Sequence, residues 1–247
     1  MNYIYGLIMA WGMFTAIPYP FAGKWKEEAR DHMLVMFPVI GLVTGGMWIA
    51  IAFLTESVPG TVRAVIMAAI PWLLTGFIHL DGYMDVCDAI LSRRDLETKQ
   101  KILKDSRCGA MAVISSILLI AMQIAVCVSL DEYPLTLIVM PVAVRAAASI
   151  CVLNLKPMNS SEYEGVKPQK IHNIILSGAL TATVVLPPII MAVSDGYVNT
   201  ACFAPIVAAF VYTVFALLAK KSLGGMSGDI SGFALVLGEL AGLVMML

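Results

Sequence analysis

Three aspartates, Asp81, Asp85 and Asp88, directly follow an apolar stretch long enough to enter a membrane. Side chains spaced i, i+4 and i+7 share one face of a helix, so the three carboxylates are expected on the same side. Such like charges repel unless a divalent cation, a basic partner or a shifted pKa offsets the repulsion. The alternative is a solvated acidic helix face, which would gain nothing from the neighbouring His79 and Gly82. The run therefore favours a site in which a cation, a basic partner or a shifted pKa offsets the repulsion, with the solvated face as the alternative.

The polar segment that begins with these aspartates ends in a basic run, Lys104-Asp105-Ser106-Arg107-Cys108-Gly109. Lys104 and Arg107 can contact phosphate oxygens, and Arg107 can do so with two parallel hydrogen bonds. Ser106 supplies a hydrogen-bond donor, and Gly109 allows close backbone approach. Carboxylates that hold Mg²⁺ beside cations that hold phosphate predict phosphoryl transfer, with one carboxylate as a proton acceptor for an attacking hydroxyl.

A second group of polar residues lies near the C-terminus, in Gly224-Gly225-Met226-Ser227-Gly228-Asp229. Glycine-rich backbone can present N–H groups to an anion. Asp229 is also well placed to cap the last apolar segment. Glu239 lies inside that segment and Arg145 lies inside another. Because charges within a membrane are costly unless they face a partner, we hypothesise that these two pair with each other.

The composition indicates a polytopic membrane protein. Of the 247 residues, 60% are hydrophobic and 13% are charged, whereas a soluble domain is about half apolar and a quarter charged. The net charge of −1 gives no reason to expect nucleic-acid binding. The five cysteines form no CxxC or Cys/His pattern, so we expect free, buried thiols.

Seven apolar runs are long enough to cross a bilayer. They are 33–55, 62–80, 108–130, 134–153, 171–193, 200–219 and 229–247. Residues 3–18 form an additional short or re-entrant candidate. All basic residues except Arg63 and Arg145 fall in four alternate polar segments, 19–32, 81–107, 154–170 and 220–228. The positive-inside rule places these segments, and the aspartates with them, in the cytoplasm. We expect an all-α membrane bundle that forms one domain over residues 1–247.

Together these motifs resemble the cobalamin synthase family, the adenosylcobinamide-GDP ribazoletransferases. The resemblance rests on ordered matches across nearly the whole chain. The matching elements are His79-Leu80-Asp81-Gly82-x-x-Asp85-x-x-Asp88, Lys104-Asp105-Ser106-Arg107-x-Gly109, Phe14-Thr15-Ala16-Ile17-Pro18-Tyr19-Pro20, Phe37-Pro38-Val39-Ile40-Gly41, and Gly224-Gly225-x-x-Gly228-Asp229-x-x-Gly232 with Glu239. Ala16, Ala89 and Ser227 depart from the usual pattern, as do Met84, Val86 and Cys87, but no carboxylate is lost.

The resemblance implies transfer of adenosylcobinamide phosphate from adenosylcobinamide-GDP to α-ribazole or its 5′-phosphate, with release of GMP and a requirement for Mg²⁺. It implies metal contacts from Asp81, Asp85, Asp88 and Asp229. Phosphate contacts would come from Lys104, Ser106, Arg107 and the loop containing Gly224, Gly225 and Ser227, with Asp105 orienting Arg107. Asp88 or His79 would be the base. The location would be a bacterial or archaeal cytoplasmic membrane, and a homo-oligomer stays open.

Two other functions remain as alternatives. A CDP-alcohol phosphotransferase also carries an Asp-Gly motif at a membrane edge, but the Ala-Arg that follows in that family is absent after Asp81-Gly82. A cation-coupled transporter would use Glu239 and Arg145. Such a protein would be expected to carry acids throughout its spans, whereas most acids here are gathered on one face.

Overall fold

The computed structural model describes residues 2–19, 25–130, 133–159, 161, 163, 165–166, 169–194 and 198–247. Three residues used in the sequence predictions lie outside this set. They are Pro20 of the N-terminal motif and the basic residues Lys24 and Lys167 of the polar segments. Ten α-helices follow one another among these described residues. They are α1 (Asn2–Phe14), α2 (Arg30–Leu54), α3 (Gly60–Leu74), α4 (Ile78–Leu91), α5 (Leu96–Leu103), α6 (Ala110–Ser129), α7 (Thr136–Asn154), α8 (Lys170–Ser194), α9 (Ala204–Leu223) and α10 (Gly228–Val244). Short 3₁₀ turns at Glu27–Ala29 and Thr200–Phe203 precede α2 and α9. The all-α prediction is confirmed for the described residues.

In the part of the chain that the structure describes, five helical segments are long and apolar enough to cross a membrane. They are Glu27–Leu54, Ala110–Ser129, Thr136–Asn154, Lys170–Val193 and Thr200–Leu223. A sixth span arises if α3 and α4, which meet at 89°, are counted as one bent crossing. Many apolar side chains of α6 and α8 are exposed, as contact with lipid requires. The chain is therefore a multi-pass membrane protein.

The expected number of seven spans is not confirmed, and two segments account for the difference. Residues 62–80 do not form one straight span, because α3 ends at Leu74 and the chain changes direction before α4. The predicted span 229–247 is a helix of 17 residues, Gly228–Val244, which is shorter than the roughly 20 residues that cross a bilayer at right angles.

Small residues determine how closely the central helices pack. A Cβ added at Gly41 would lie 2.6 Å from the carbonyl oxygen of Pro141, and one added at Gly45 would collide with the backbone at Ile138. These glycines are four residues apart, so both lie on the face of α2 that meets α7. This small-xxx-small contact is typical of membrane helix pairs. It lets the backbones of α2 and α7 approach each other closely.

Candidate active site

The aspartate run lies on α4, which a sharp turn sets at 89° to α3. The chain turns through Gly76 and Phe77, whose φ angles are +60° and +64°. The Phe77 N–H donates to the carbonyl of Trp72 at 2.8 Å, which is the six-to-one bond of a Schellman helix end. Glycine adopts a positive φ at little cost because it has no Cβ. The turn therefore ends α3 and lets α4 present its carboxylates in a new direction.

Close approach of α4 and α10 brings a fourth carboxylate to the site. A Cβ added at Gly82 would lie 2.9 Å from the backbone of Asp229, and one added at Gly232 would lie 3.0 Å from that of His79. Both distances are tight for a Cβ, so larger residues would force the helices apart. The acids that act electrostatically on half-buried Asp85 are Asp81, Asp229 and Asp88. Acids from two helices therefore share one region, which concentrates negative charge there.

The expectation that Asp229 caps the last helix is wrong. Ser227 is the N-cap of α10, and its hydroxyl accepts a hydrogen bond from the Ile230 N–H at 3.3 Å. Asp229 lies in the first turn instead, where the helix dipole favours a negative charge. The metal role predicted for Asp229 therefore does not compete with helix capping.

Asp88 has a structural use that the sequence did not reveal. Its Oδ2 accepts the Gly109 N–H at 2.5 Å, and its Oδ1 accepts the Ala112 N–H at 2.9 Å. These amides belong to the start of α6, so the Asp88 side chain caps that helix from α4. Gly109 is needed there because a Cβ would collide with the Asp88 carboxylate. The close backbone approach predicted at Gly109 is confirmed, and its partner is Asp88.

Replacing Asp88 with alanine is expected to lower the free energy of unfolding by about 1–2 kcal/mol, because the N-terminus of α6 loses its side-chain acceptor. Denaturant unfolding of the purified protein in detergent would measure this. The matched control is Asp95→Ala, which removes the cap of the short, exposed helix α5, where Asp95 accepts the Thr98 N–H at 3.0 Å. Wild-type stability of Asp88→Ala would refute the capping role.

A cavity of about 220 Å³ opens beside the carboxylates. Asp81 and Asp229 line it together with the apolar side chains of Phe14, Phe37 and Val152. The cavity therefore combines negative charge, which suits a cation and its phosphate ligand, with an apolar surface, which suits a flat ring. The sequence offered no signal for a role of these apolar residues, although Phe14 and Phe37 belong to the motifs that carried the resemblance.

His79 lines the same cavity from the interior side. Its side chain is buried, and its ring centroid lies 6.1 Å from that of Phe14 and 5.8 Å from that of Phe37. Within the described part of the chain, its Nε2 has no hydrogen-bond partner. A buried donor or acceptor without a partner is costly, which points to a ligand that completes it.

The loop after α5 reaches the carboxylates through Gly109. Arg107 donates from Nε and Nη2 to both carboxylate oxygens of Asp105, at 3.0 and 2.8 Å. Hydrogen bonds from the Arg107 side chain and backbone lower the pKa of Asp105 to about 2, so the pair stays charged at neutral pH. Asp105 thus orients Arg107, as predicted. Lys104, Ser106 and Arg107 are all exposed. Gly109, two residues after Arg107, donates its N–H to the Asp88 carboxylate.

The glycines before α10 have structural tasks. Gly224 ends α9 with a φ of +86° and donates its N–H to the Lys220 carbonyl at 2.9 Å. A Cβ at Gly225 would collide with the backbone of Met158. The neighbouring Met226 N–H donates to the Lys156 carbonyl at 2.9 Å. Two amides of this loop therefore already bind protein carbonyls, which weakens the predicted phosphate role of Gly224 and Gly225 without testing it.

The buried charges Arg145 and Glu239 form the pair that was hypothesised. Arg145 Nη1 lies 2.7 Å from Glu239 Oε1 and also donates to the Pro141 carbonyl at 3.2 Å. The Arg145 side chain is fully buried, and its guanidinium lies 5.4 Å from the centre of the Phe37 ring. Since Phe37 lines the cavity, the ion pair packs next to the cavity wall.

Comparison with known proteins identifies the family of the chain. The family model described as cobalamin-5-phosphate synthase matches residues 6–247. The chain belongs to the cobalamin-5-phosphate synthase family. It is 36% identical to an adenosylcobinamide-GDP ribazoletransferase of Clostridium botulinum (strain Alaska E43 / Type E3), over 98% of this chain and 96% of that protein. It is 35% identical to the protein of the same name from Clostridium perfringens (strain 13 / Type A), over 96% of this chain and 95% of the relative. No solved structure matches the chain.

Family membership confirms the resemblance seen in the motifs. The chain is therefore an enzyme, a transferase of cobalamin biosynthesis. The motifs follow a fixed order along the chain, and the structure gathers α4, α10 and the 104–109 loop in space. These are separate observations, because the comparisons align sequences and say nothing of geometry. Both lead to the same set of acids.

Proposed function

We propose that this enzyme transfers adenosylcobinamide phosphate from adenosylcobinamide-GDP to α-ribazole, or to its 5′-phosphate, with release of GMP. A ribose hydroxyl attacks the phosphorus next to the corrinoid, the bond from that phosphorus to GMP breaks, and the hydroxyl proton passes to a base. The observation that carries this proposal is that Asp81, Asp85 and Asp229 share one region beside a cavity lined by Asp81 and Asp229. The segment after Arg107 reaches the same region through the Gly109 N–H, which binds Asp88. Phosphoryl transfer needs these components.

The donor set at the carboxylates fits Mg²⁺. Asp81, Asp85 and Asp229 offer only oxygen atoms, which are the ligands that hard divalent cations prefer. Asp88 contributes negative charge, but both of its oxygens already accept amide hydrogens. We therefore propose Asp81, Asp85 and Asp229 as direct ligands and Asp88 as a secondary one. A bound Mg²⁺ would neutralise charge on the pyrophosphate and polarise the reacting phosphorus.

Lys104 and Arg107 are proposed to hold the phosphate that leaves as part of GMP. Arg107 is 88% exposed and is oriented by Asp105, so a phosphate in the solvent can reach its guanidinium. Ser106 adds a neutral donor between the two cations. Positive charge at this point stabilises the negative charge that accumulates on the leaving group.

For the base we favour His79 over Asp88. The two Asp88 oxygens are occupied by amides, whereas the His79 Nε2 has no partner among the described residues and lines the cavity. An imidazole nitrogen of this kind can accept the proton of the ribose hydroxyl. Asp88 then serves mainly to fix the start of α6 beside the metal ligands.

The apolar part of the cavity suits the aromatic base of α-ribazole. Phe14, Phe37 and Val152 line it, and a flat ring placed between such side chains buries apolar surface. We propose that the base occupies this space while the ribose lies at Asp81 and Asp229. The nucleotide half of adenosylcobinamide-GDP then lies on the other side of the carboxylates, towards Arg107.

Filling this cavity should separate the two substrates. The variant Val152→Phe is expected to raise KM for α-ribazole about tenfold or more, since the loss of a well-filled apolar contact costs roughly 1–3 kcal/mol. KM for adenosylcobinamide-GDP should stay close to the wild-type value. Leu118→Phe on the exposed face of α6 is the control, because Leu118 is 66% exposed and remote from the cavity. Equal changes in both KM values would contradict this placement of the base.

The overall reaction is tested with membranes that contain the protein, adenosylcobinamide-GDP, α-ribazole and Mg²⁺. We expect GMP release that depends on both substrates and stops when a chelator removes the metal. Membranes without the protein are the background. GMP release no greater than this background would refute the proposed function.

We also propose that the site faces the cytoplasm of a bacterial or archaeal cell. Outside α3 and α7, which hold Arg63 and Arg145, the basic residues fall in the polar segments on the side of the aspartates. A cysteine introduced at exposed Ser106 should react with impermeant thiol reagents only after cells are opened, once Cys108 has been replaced by serine.

A further inference from the structure

Two of the three histidines in this chain meet at a place away from the active site. His32 lies at the start of α2 and His172 at the start of α8, and Asp31 lies beside them. One ligand atom from each of Asp31, His32 and His172 can be chosen so that all three lie within 4.8 Å of one another. Since the two histidines are far apart in sequence, only the packing of α8 against α2 brings them together.

The second observation is that His172 is buried without a hydrogen bond. Its side chain has no exposed surface, and within the described residues neither Nδ1 nor Nε2 has a hydrogen-bond partner. The nearest charged atom is Asp31 Oδ2, which lies 3.6 Å from Nδ1 and is too far away for a hydrogen bond. A fully buried imidazole with both nitrogens unsatisfied is costly, so a missing partner is indicated.

The Asp31 carboxylate is held in place next to these rings. Its Oδ1 accepts the His32 backbone N–H at 2.8 Å and lies 2.6 Å from His32 Nδ1. Its Oδ2 accepts a hydrogen bond from Gln169 Nε2 at 3.1 Å. A carboxylate fixed by such contacts beside two imidazoles is the usual arrangement around a bound metal, in which neighbouring groups orient the ligands.

Simple aromatic packing is the competing explanation. The ring of Tyr3 lies 4.7 Å from that of His32 and 6.2 Å from that of His172, and the two imidazoles lie 4.8 Å apart, edge to face. Packing of this kind accounts for the ring contacts. It does not account for the unsatisfied nitrogens of His172 or for a carboxylate directed at both rings.

We propose that Asp31, His32 and His172 bind a transition-metal ion, with Zn²⁺ as the natural occupant. Two imidazole nitrogens and one carboxylate oxygen form a common ligand set for zinc, and small side-chain rotations bring ligand atoms this close to bond lengths of about 2.0–2.2 Å. Magnesium prefers oxygen ligands and is disfavoured here, which separates this site from the carboxylates of α4 and α10. The bound ion joins the first turn of α8 to the first turn of α2.

The test is the zinc content of the full-length protein, purified in detergent with any histidine tag removed, loaded with Zn²⁺ and then dialysed. We expect about one zinc ion per chain in the wild type, and loss of that ion in the double variant His32→Gln/His172→Gln. Replacement of the zinc by Co²⁺ should give the visible absorption of a tetrahedral nitrogen- and oxygen-ligated site. Wild-type zinc content no higher than that of the double variant would overturn the proposal.

Two further variants keep the test decisive if the double variant folds poorly. Asp31→Asn has nearly the same shape but is a weak metal ligand, so it should fold and bind less zinc. Asn173→Gln alters the residue next to His172. The Asn173 side chain bonds Asn154 rather than the cluster, so this variant should keep the wild-type zinc content. Zinc content equal in wild type, Asp31→Asn and Asn173→Gln would show that the cluster is not the binding site.

Discussion

Replacement of Asp85 by asparagine is expected to reduce kcat for GMP release by about 10³-fold, the loss seen when a key electrostatic contact to a transition state is removed. Asp85 lies half-buried among Asp81, Asp88 and Asp229, so its charge is the one most enclosed by the others. Asparagine keeps the size and shape of the side chain, which limits effects on folding. The measurement is initial rate at saturating substrates and fixed Mg²⁺.

A matched control isolates the carboxylate from general charge effects. Glu97→Gln removes an acid from α5, where Glu97 and Lys101 form an exposed ion pair of 2.8 Å. Because exposed pairs of this kind contribute little, the rate of this variant should stay within about twofold of wild type. An Asp85→Asn enzyme as active as Glu97→Gln would show that the acids on α4 are not the catalytic centre.

The metal role adds a second readout to this prediction. Asp81→Asn should also lose activity, but excess Mg²⁺ should restore part of it, because the remaining carboxylates still bind the ion with lower affinity. Full activity of Asp81→Asn at low Mg²⁺ would remove Asp81 from the ligand set. Loss of activity that no concentration of Mg²⁺ relieves would assign Asp81 to a contact other than the metal.

Breaking the ion pair of Arg145 is expected to have the largest effect on stability. Glu239→Gln should lower the free energy of unfolding by about 3–5 kcal/mol, because it leaves a fully buried guanidinium without its counter-charge. Among the described residues the Pro141 carbonyl is the one other acceptor, on Nη1, because Arg145 Nε and Nη2 have no hydrogen-bond partner there. Unfolding in detergent, followed by helix signal, would measure it.

The double variant Arg145→Met/Glu239→Leu shows whether the two charges act as a pair. Replacing both by apolar residues should recover most of the stability that either single change removes. Glu27→Gln is the surface control, because Glu27 pairs with Arg30 at 3.0 Å while largely exposed, and it should change stability by less than about 1 kcal/mol. Strictly additive losses in the double variant would contradict direct coupling of Arg145 and Glu239.

Local sequence was enough to predict that three carboxylates lie together on α4. Asp81, Asp85 and Asp88 share one helix face because helical periodicity depends only on spacing. The Asp105–Arg107 pair could be anticipated because the residues are two apart in a short loop. Arg145 and Glu239 could be matched because a charge inside an apolar span needs a partner, and few candidates were present.

Hydropathy was less informative about where the helices end. The apolar run 62–80 continues without interruption, but backbone at Gly76 and Phe77 adopts positive φ and turns the chain through 89°. A window of mean hydropathy does not register backbone dihedral angles. The Gly76 position was the available signal, since glycine often ends a helix, and it was outweighed by the apolar residues around it.

The sequence by itself determined that this is a helical membrane protein of the cobalamin-5-phosphate synthase family and which acids are the candidates for its chemistry, because composition, spacing and motifs are local properties. The tertiary structure alone decided how closely Asp229 approaches α4, that Asp88 caps α6, and that His32 meets His172. The first two of these relations depend on close contacts at Gly82, Gly109 and Gly232, where the absence of a Cβ makes room for the Asp229 backbone, the Asp88 side chain and the His79 backbone, respectively. Close packing of this kind cannot be read from spacing, because it is determined jointly by both partners in each contact.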